Sequence, residues 1–211
     1  MIIQFSKKVF THLLYFIKGL RFKRAVTEDE KNLFFKIRHD VYHEMGYIPK
    51  MKNGLFVDCH DEYSIHFLCY RWGKPVGCGR LILYCPERNF QIEDFFNIER
   101  PKVSREKFAE VSAVAIVSKF RGKNIFITMG LMKSIYNYVV EHDIEYLYFN
   151  TTERLAKYFG SFGLSYALLS EGELTEHNIH SREFSKAAFE KNVFRPYVIE
   201  VAKSKKLFKV I

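Results

Sequence analysis

The chain has 211 residues, 48% of them apolar, and a formal charge of +9. This composition excludes a disordered chain and is long enough for one domain with a sizeable core. The charge is concentrated at the ends. Residues 1–24 hold Lys7, Lys8, Lys18, Arg21, Lys23 and Arg24 and no acid, and residues 186–211 hold seven Lys or Arg against Glu190 and Glu200. Basic ends suit an anionic partner. Nucleic acid is not expected, because no helix-turn-helix, zinc-finger or aromatic RNA-binding pattern is present. Cys59, Cys69, Cys78 and Cys85 lack CxxC spacing. With no secretory signal ahead of them, free thiols in a cytoplasmic protein are expected.

In chain order, Ile2, Phe5, Val9, Leu13, Phe16, Ile17 and Leu20 recur at helical spacing, interrupted by Lys7, Lys8 and Lys18. The spacing predicts an N-terminal amphipathic helix over 1–20, too short and too charged to span a bilayer. Such a helix either lies on an anionic membrane, here the inner face of the cell membrane, or packs on its own domain or a partner. Residues 21–211 are expected to form a single domain. A strand over 22–26 leads to Thr27, an N-cap followed by acids. The helix behind it carries Leu33, Phe34, Ile37, Val41 and Tyr42 on one face and stops at Met45-Gly46. Residues 47–62 read as an irregular loop with Asp58 and Asp61 three apart. A hairpin over 63–71 and 76–84 turns at residues 72–75, and Gly77 and Gly79 mark a bulge or a close approach. A polar connection over 85–106 carries a short helix near 93–97. A strand over 107–117, interrupted by Glu110, runs into the turn 118–124 and a helix over 124–142 that buries Ile127, Leu131, Ile135 and Val139. A strand over 144–149, a helix over 153–162 capped by Thr152 and stopped by Gly163, and a strand over 193–201 complete the chain. This order predicts an α+β fold with a central mixed, mostly antiparallel sheet flanked by helices; GxGxxG and P-loop motifs are absent.

Strand, basic glycine turn and helix N-terminus together form a layout for holding phosphate, because the first N–H groups of a helix have no internal partner. Glu110, inside an apolar strand, either takes a proton in catalysis with a pKa raised by desolvation or pairs with an arginine for structure. Arg80 either binds a substrate carboxylate or pairs with Asp61, and Arg38 has the same two readings with Asp58. Asp58 and Asp61 hold an acceptor amine or cap the loop. His39, His43 and His60 lack an HExxH frame, so no metal site is expected. Nothing near Cys78 or Cys85 supports a thiolate.

Lys119-Phe-Arg-Gly-Lys-Asn124 resembles the pyrophosphate turn of the Gcn5-related N-acetyltransferase (GNAT) fold, and Leu155-Ala-Lys-Tyr-Phe-Gly-Ser-Phe-Gly-Leu164 is similar to a later helix of that fold. A narrower likeness covers residues 33–124. Arg38, Val41, Tyr42, Glu44, Gly46 and Tyr47, then Asp58 and Asp61, then Val76-Gly-Cys-Gly-Arg-Leu81, then Glu110-Val-Ser112 resemble the acyl-homoserine-lactone (autoinducer) synthases and the long-chain N-acyl amino acid synthases. The resemblance implies an N-acyltransferase that moves a long acyl group from an acyl-carrier-protein or acyl-CoA thioester to an amino acid or similar amine, with no tightly bound cofactor. It implies Glu110 and Arg80 as catalytic residues, and Arg38, Asp58, Asp61 and Ser112 as substrate-binding residues. Val117, Lys119, Arg121, Gly122, Lys123 and Asn124 would hold the donor. Ala113 stands where autoinducer synthases have arginine, which favours the amino acid branch. The competing expectations are a synthase that uses S-adenosylmethionine and a non-catalytic acyl-carrier or lipid-binding module.

Overall fold

The protein is described from a computed structural model over residues 15, 18–99, 102–122, 125–170 and 193–205. Seven strands form one sheet: β1 (Leu20–Arg24), β2 (Ser64–Arg71), β3 (Lys74–Leu83), β4 (Phe108–Ile116), β5 (Tyr146–Thr152), β6 (Tyr166–Leu168) and β7 (Phe194–Glu200). Their spatial order is β1-β2-β3-β4-β5-β7-β6. Only β4 and β5 run parallel; the other neighbours are antiparallel. Among the described residues, these α-helices of five residues or more accompany them: α1 (Glu28–Glu44), α2 (Gln91–Phe95), α3 (Ile125–Glu141) and α4 (Glu153–Ser161).

Helix α1 begins where the chain satisfies its own orphan donors. Glu30 N–H donates to Thr27 Oγ1 and Thr27 N–H to the Glu30 carboxylate, each at 3.3 Å. Three acids in the first turn face the positive end of the helix dipole. Gly46, with φ +74°, ends it. The buried side of α1 sets Phe34, Ile37 and Val41 against Leu68, Cys78 and Ala115 on one face of the sheet. On the other face, Ile127, Leu131, Ile135 and Val139 of α3 meet Phe67, Leu81, Ala109 and Val111.

The β2–β3 hairpin turns at two residues, Trp72 and Gly73, rather than over 72–75: both have positive φ (50° and 75°), and Arg71 pairs with Lys74. Gly77 and Gly79 sit under α3. A Cβ at Gly77 would stand 3.1 Å from Ile127 and 3.2 Å from the Ala115 carbonyl, so the approaching body is a helix of the protein itself.

The feature that matters for function is where the sheet comes apart. β4 and β5 pair only from Phe108–Tyr146 to Val111–Phe149. Beyond that, Ala113 and Val114 of β4 oppose the single residue Gly79 of β3 as a bulge, and Ala113 adopts φ +52°. A bulge bends its strand and raises its twist, so β4 turns away from β5.

One further expectation changes, and one element was not expected. The 85–106 connection is apolar in its middle: Phe90, Ile92, Phe95 and Phe96 are buried with Ile82, Phe108 and Tyr148 around the helix Gln91–Phe95. Strand β6 is too short to leave a pattern. The helix expected over 1–20 lies outside the described residues except for Tyr15 and 18–20; Tyr15 is buried, edge-on to Phe22 at 5.3 Å. No described helix is long and apolar enough to cross a membrane.

Candidate active site

A cleft of about 430 Å³ fills the gap between β4 and β5 and passes from one face of the sheet to the other. Its walls are largely apolar, with Val111, Phe149, Met132, Leu155, Phe159 and Leu164 among them. At one end stand Arg38, Asp58, Arg80, Gln91 and Ser112. An apolar cleft with a few convergent polar groups is the usual form of a small-molecule site.

The polar end is a closed network. Arg38, on the buried side of α1, donates through Nη1 to Asp61 at 3.1 Å and to Asp58 at 3.5 Å, through Nη2 to Asp61, and through Nε to the Phe56 carbonyl at 3.1 Å. Arg80, on β3, donates through Nη1 to Asp58 at 2.7 Å and Asp61 at 2.8 Å, through Nε to Ser112 Oγ at 2.8 Å, and through Nη2 to Gln91 at 3.2 Å. Both guanidinium groups are buried, at 0% and 1% exposure. Each is balanced by carboxylates, the condition under which buried charge is tolerated. Burial opposes ionisation of Asp61, but the His66 hydrogen bond and the Arg80 and Arg38 charges outweigh it, so its pKa is held well below the usual carboxylate range. Asp58 is lowered too, again against its burial, by Arg80 and Arg38. Asp58 is the more open of the two acids and alone lines the cleft.

Arg80 thus takes the ion-pair reading: its Nε, Nη1 and Nη2 all donate to protein oxygens. His66 belongs to this network, with Nε2 at 3.0 Å from Asp61, and did not stand out in the sequence. The signal was there, because the hairpin register sets His66 opposite Arg80 and hence on the same face. Gln91 left no signal of its own.

Glu110 sits elsewhere than expected. It is 0% exposed and is not part of the cleft wall. Pairing of Arg80 with Ser112 and of Ile82 with Glu110 puts it on the same face as the network, two residues along, beneath α2. Its Oε2 accepts the Ile92 N–H at 2.9 Å, and Oε1 has no hydrogen-bond partner among the described residues. Burial pushes its pKa up to about 8, partly offset by the Ile92 N–H and the charge of Arg80. At neutral pH this is mostly a neutral carboxyl.

The phosphate turn is only partly described, since Lys123 and Asn124 lie outside the described residues. Gly122 has φ +69° with open space where a Cβ would be. Lys119 is exposed, its Nζ 4.9 Å from the Phe120 ring centroid. Arg121 lines the cleft but folds back, with Nε to the Ile116 carbonyl at 3.3 Å and Nη2 to Glu44 at 3.2 Å. The Val117 N–H is taken by the Val76 carbonyl at 3.1 Å, so any contribution of Val117 to a ligand runs through its other atoms. His39 uses both ring nitrogens, facing Asp40 at 2.9 Å and accepting the Met51 N–H at 3.1 Å, and His60 faces Asp94 at 3.2 Å. Burial pushes the Cys78 thiol up to about 12, which removes it as a nucleophile.

A sheet parted between two parallel strands by a bulge, with helices on both faces, defines a GNAT-like acyltransferase fold. The fold is similar to that of the autoinducer synthase LasI (TM-score 0.66, 20% identity, 90% of this chain and 93% of that one). It is also similar to the CoA-dependent acyl-homoserine lactone synthase BjaI with MTA (0.66, 17%, 91% and 87%) and to FeeM, an N-acyl amino acid synthase from uncultured soil microbes (0.58, 13%, 89% and 94%). No curated protein matches the sequence. The FeeM N-acyl amino acid synthase family matches residues 34–168, and the chain belongs to that family. It is an N-acyltransferase.

Proposed function

We propose that the protein joins a long-chain acyl group, delivered as a coenzyme A or acyl-carrier-protein thioester, to the α-amine of an amino acid. The observation that carries this reading is the cleft itself, which is apolar along its length and ends at Asp58. In that site the acyl chain lies between Phe149, Met132, Phe159 and Leu164. The donor's amide-bearing arm runs along the β4 edge from Ser112 to Ile116, where β5 no longer pairs. A free strand edge receives an extended chain through its backbone groups. The phosphate end of that arm then reaches the turn at 119–124, where helix α3 begins.

Asp58 is the acid placed to hold the acceptor's ammonium group, with Arg38, Arg80 and Asp61 fixing its position. The amine must lose a proton before it attacks. Its nitrogen then bonds to the thioester carbonyl carbon, the C–S bond breaks, and the thiol leaves with a proton. Glu110 suits the proton-accepting role in its ionised fraction, which grows as pH nears about 8, because a base with a pKa near the working pH balances availability against strength.

Purified protein incubated with acyl thioesters and a mixture of amino acids should release free thiol and yield an N-acyl amino acid by mass spectrometry. Absence of both with coenzyme A and carrier-protein donors alike overturns the proposal. Release of methylthioadenosine from S-adenosylmethionine would instead assign autoinducer synthesis.

A further inference from the structure

The β2–β3 turn carries a side chain that neither its turn type nor its packing requires. Trp72 is the chain's single tryptophan, stands at the first position of a two-residue turn with φ 50°, and is 69% exposed. That position favours Asn, Asp or Gly, and a bulky residue there is strained. The indole is nevertheless held in place. The Trp72 backbone N–H donates to the Gly19 carbonyl at 2.8 Å, and the ring lies on Gly19 so closely that any Cβ there would overlap it.

Four cations surround this tip. Lys18 Nζ stands 4.3 Å from the centroid of the Phe126 ring, and the Arg71 guanidinium and Lys119 Nζ stand 5.1 Å and 4.9 Å from that of Phe120. Lys74, paired with Arg71 across the turn, is exposed. None of the four forms an ion pair among the described residues. We infer that this end of the sheet docks on an anionic lipid surface, with Trp72 entering the headgroup layer and Lys18, Arg71, Lys74 and Lys119 facing lipid phosphates.

Indole rings partition to the membrane–water boundary, where one edge is apolar and the other wet. Cations standing over half-buried aromatic rings keep their heads in water while their stems cover apolar surface. An acidic protein partner suits the charge but not the shape, since a single protruding ring offers it no flat area of the size stable interfaces need. A fluid lipid surface accommodates a protruding ring. In sequence, the basic and apolar stretch 2–17 runs straight into Gly19, which extends the same chemistry. This inference shares only Lys119 with the acyl-transfer reading and stands on Trp72 and Lys74, which that reading does not use.

Because Trp72 is the only tryptophan, its fluorescence reports on the tip of the full-length protein directly. Emission should shift to the blue and the protein should co-sediment with phosphatidylcholine vesicles containing phosphatidylglycerol, not with phosphatidylcholine alone. Salt should weaken both effects. Trp72→Asn, whose side chain the turn accepts, and Lys74→Glu should each lower partitioning about tenfold or more at unchanged thermal unfolding midpoint. Unshifted emission on vesicles, or partitioning of both variants equal to that of the parent, overturns the inference. An emission shift with an acidic carrier protein and none with vesicles overturns it in favour of a protein partner.

Discussion

Two buried acids on one face of this sheet have opposite protonation. Asp61 sits among Arg38, Arg80 and His66, and its carboxylate stays ionised far below the normal range. Glu110, two residues along β4 from Ser112, is more deeply buried, accepts one backbone N–H and leaves Oε1 with no hydrogen-bond partner among the described residues. Its pKa rises to about 8. Burial opposes charge at both sites, and only the local count of cations and donors reverses the outcome. Under the proposed function one acid would serve as fixed structure and the other as a proton carrier, a common division of labour between paired carboxylates in active sites.

The sharpest way to break that contrast is to unbalance the network. Arg80→Ala leaves Asp58 and Asp61 buried with one guanidinium between them and should destabilise the protein by about 3–5 kcal/mol in denaturant unfolding. Arg80→Lys should recover little of this, because an ammonium cannot serve Asp58, Asp61, Ser112 and Gln91 from one plane. A parent-like midpoint in either variant would show that the network carries little stability.

Glu110→Gln should lower kcat by about a hundredfold or more while the protein stays folded. Its second readout is pH. A folded pKa raised above the unfolded value gives stability that is complete below pH 4.5 and is lost as pH climbs through about 8. Stability of the parent should thus decline across that window, and Glu110→Gln should flatten the decline. Asp58 and Asp61 have the opposite sign. Their stability is present above the unfolded carboxylate range and is lost on acidification, so Glu110→Gln should leave the acid side of the curve unchanged.

Asp58→Asn should raise the KM for the amine acceptor about tenfold, with a smaller change for the acyl donor, since it removes a charge-assisted contact on the cleft wall. Equal effects on both substrates would place Asp58 in structure alone. The smallest effect belongs to chain length. Leu155 is half-exposed and lines the cleft, so Leu155→Trp should favour shorter acyl chains, by roughly fourfold in kcat/KM for each methylene excluded, as about 0.8 kcal/mol per buried CH₂ implies.

Much of this was legible from residues close together in the chain. Thr27 and Glu30 announced the start of α1, Gly46 its end, and the apolar period of 127–139 a helix packed along one stripe. The four charged residues of the network, Arg38, Asp58, Asp61 and Arg80, were each named as candidates, because the sequence blocks that hold them resemble the synthase families in kind and order. The 90–96 segment was misread as polar because Glu93 and Asp94 stand between its aromatics in sequence; in space the Glu93 carboxylate is taken up by the Phe90 N–H and Arg105, and the apolar side chains pack inward. Glu110 was singled out as an acid inside an apolar strand, and the structure buries it fully, apart from the cleft wall. Strand periodicity fixes a side chain's face, and whether α2 then covers it depends on residues near 92.

The sequence by itself determined the main helices and the hairpin through local spacing and side-chain chemistry, and its motif blocks carried the resemblance to an acyltransferase family and the short list of ionisable candidates. Only the tertiary structure decided that a bulge at Ala113 parts β4 from β5 and opens the cleft. The same is true of the protonation that separates Asp61 from Glu110, because the free energy of a buried charge depends on which distant groups the fold brings within a few ångströms.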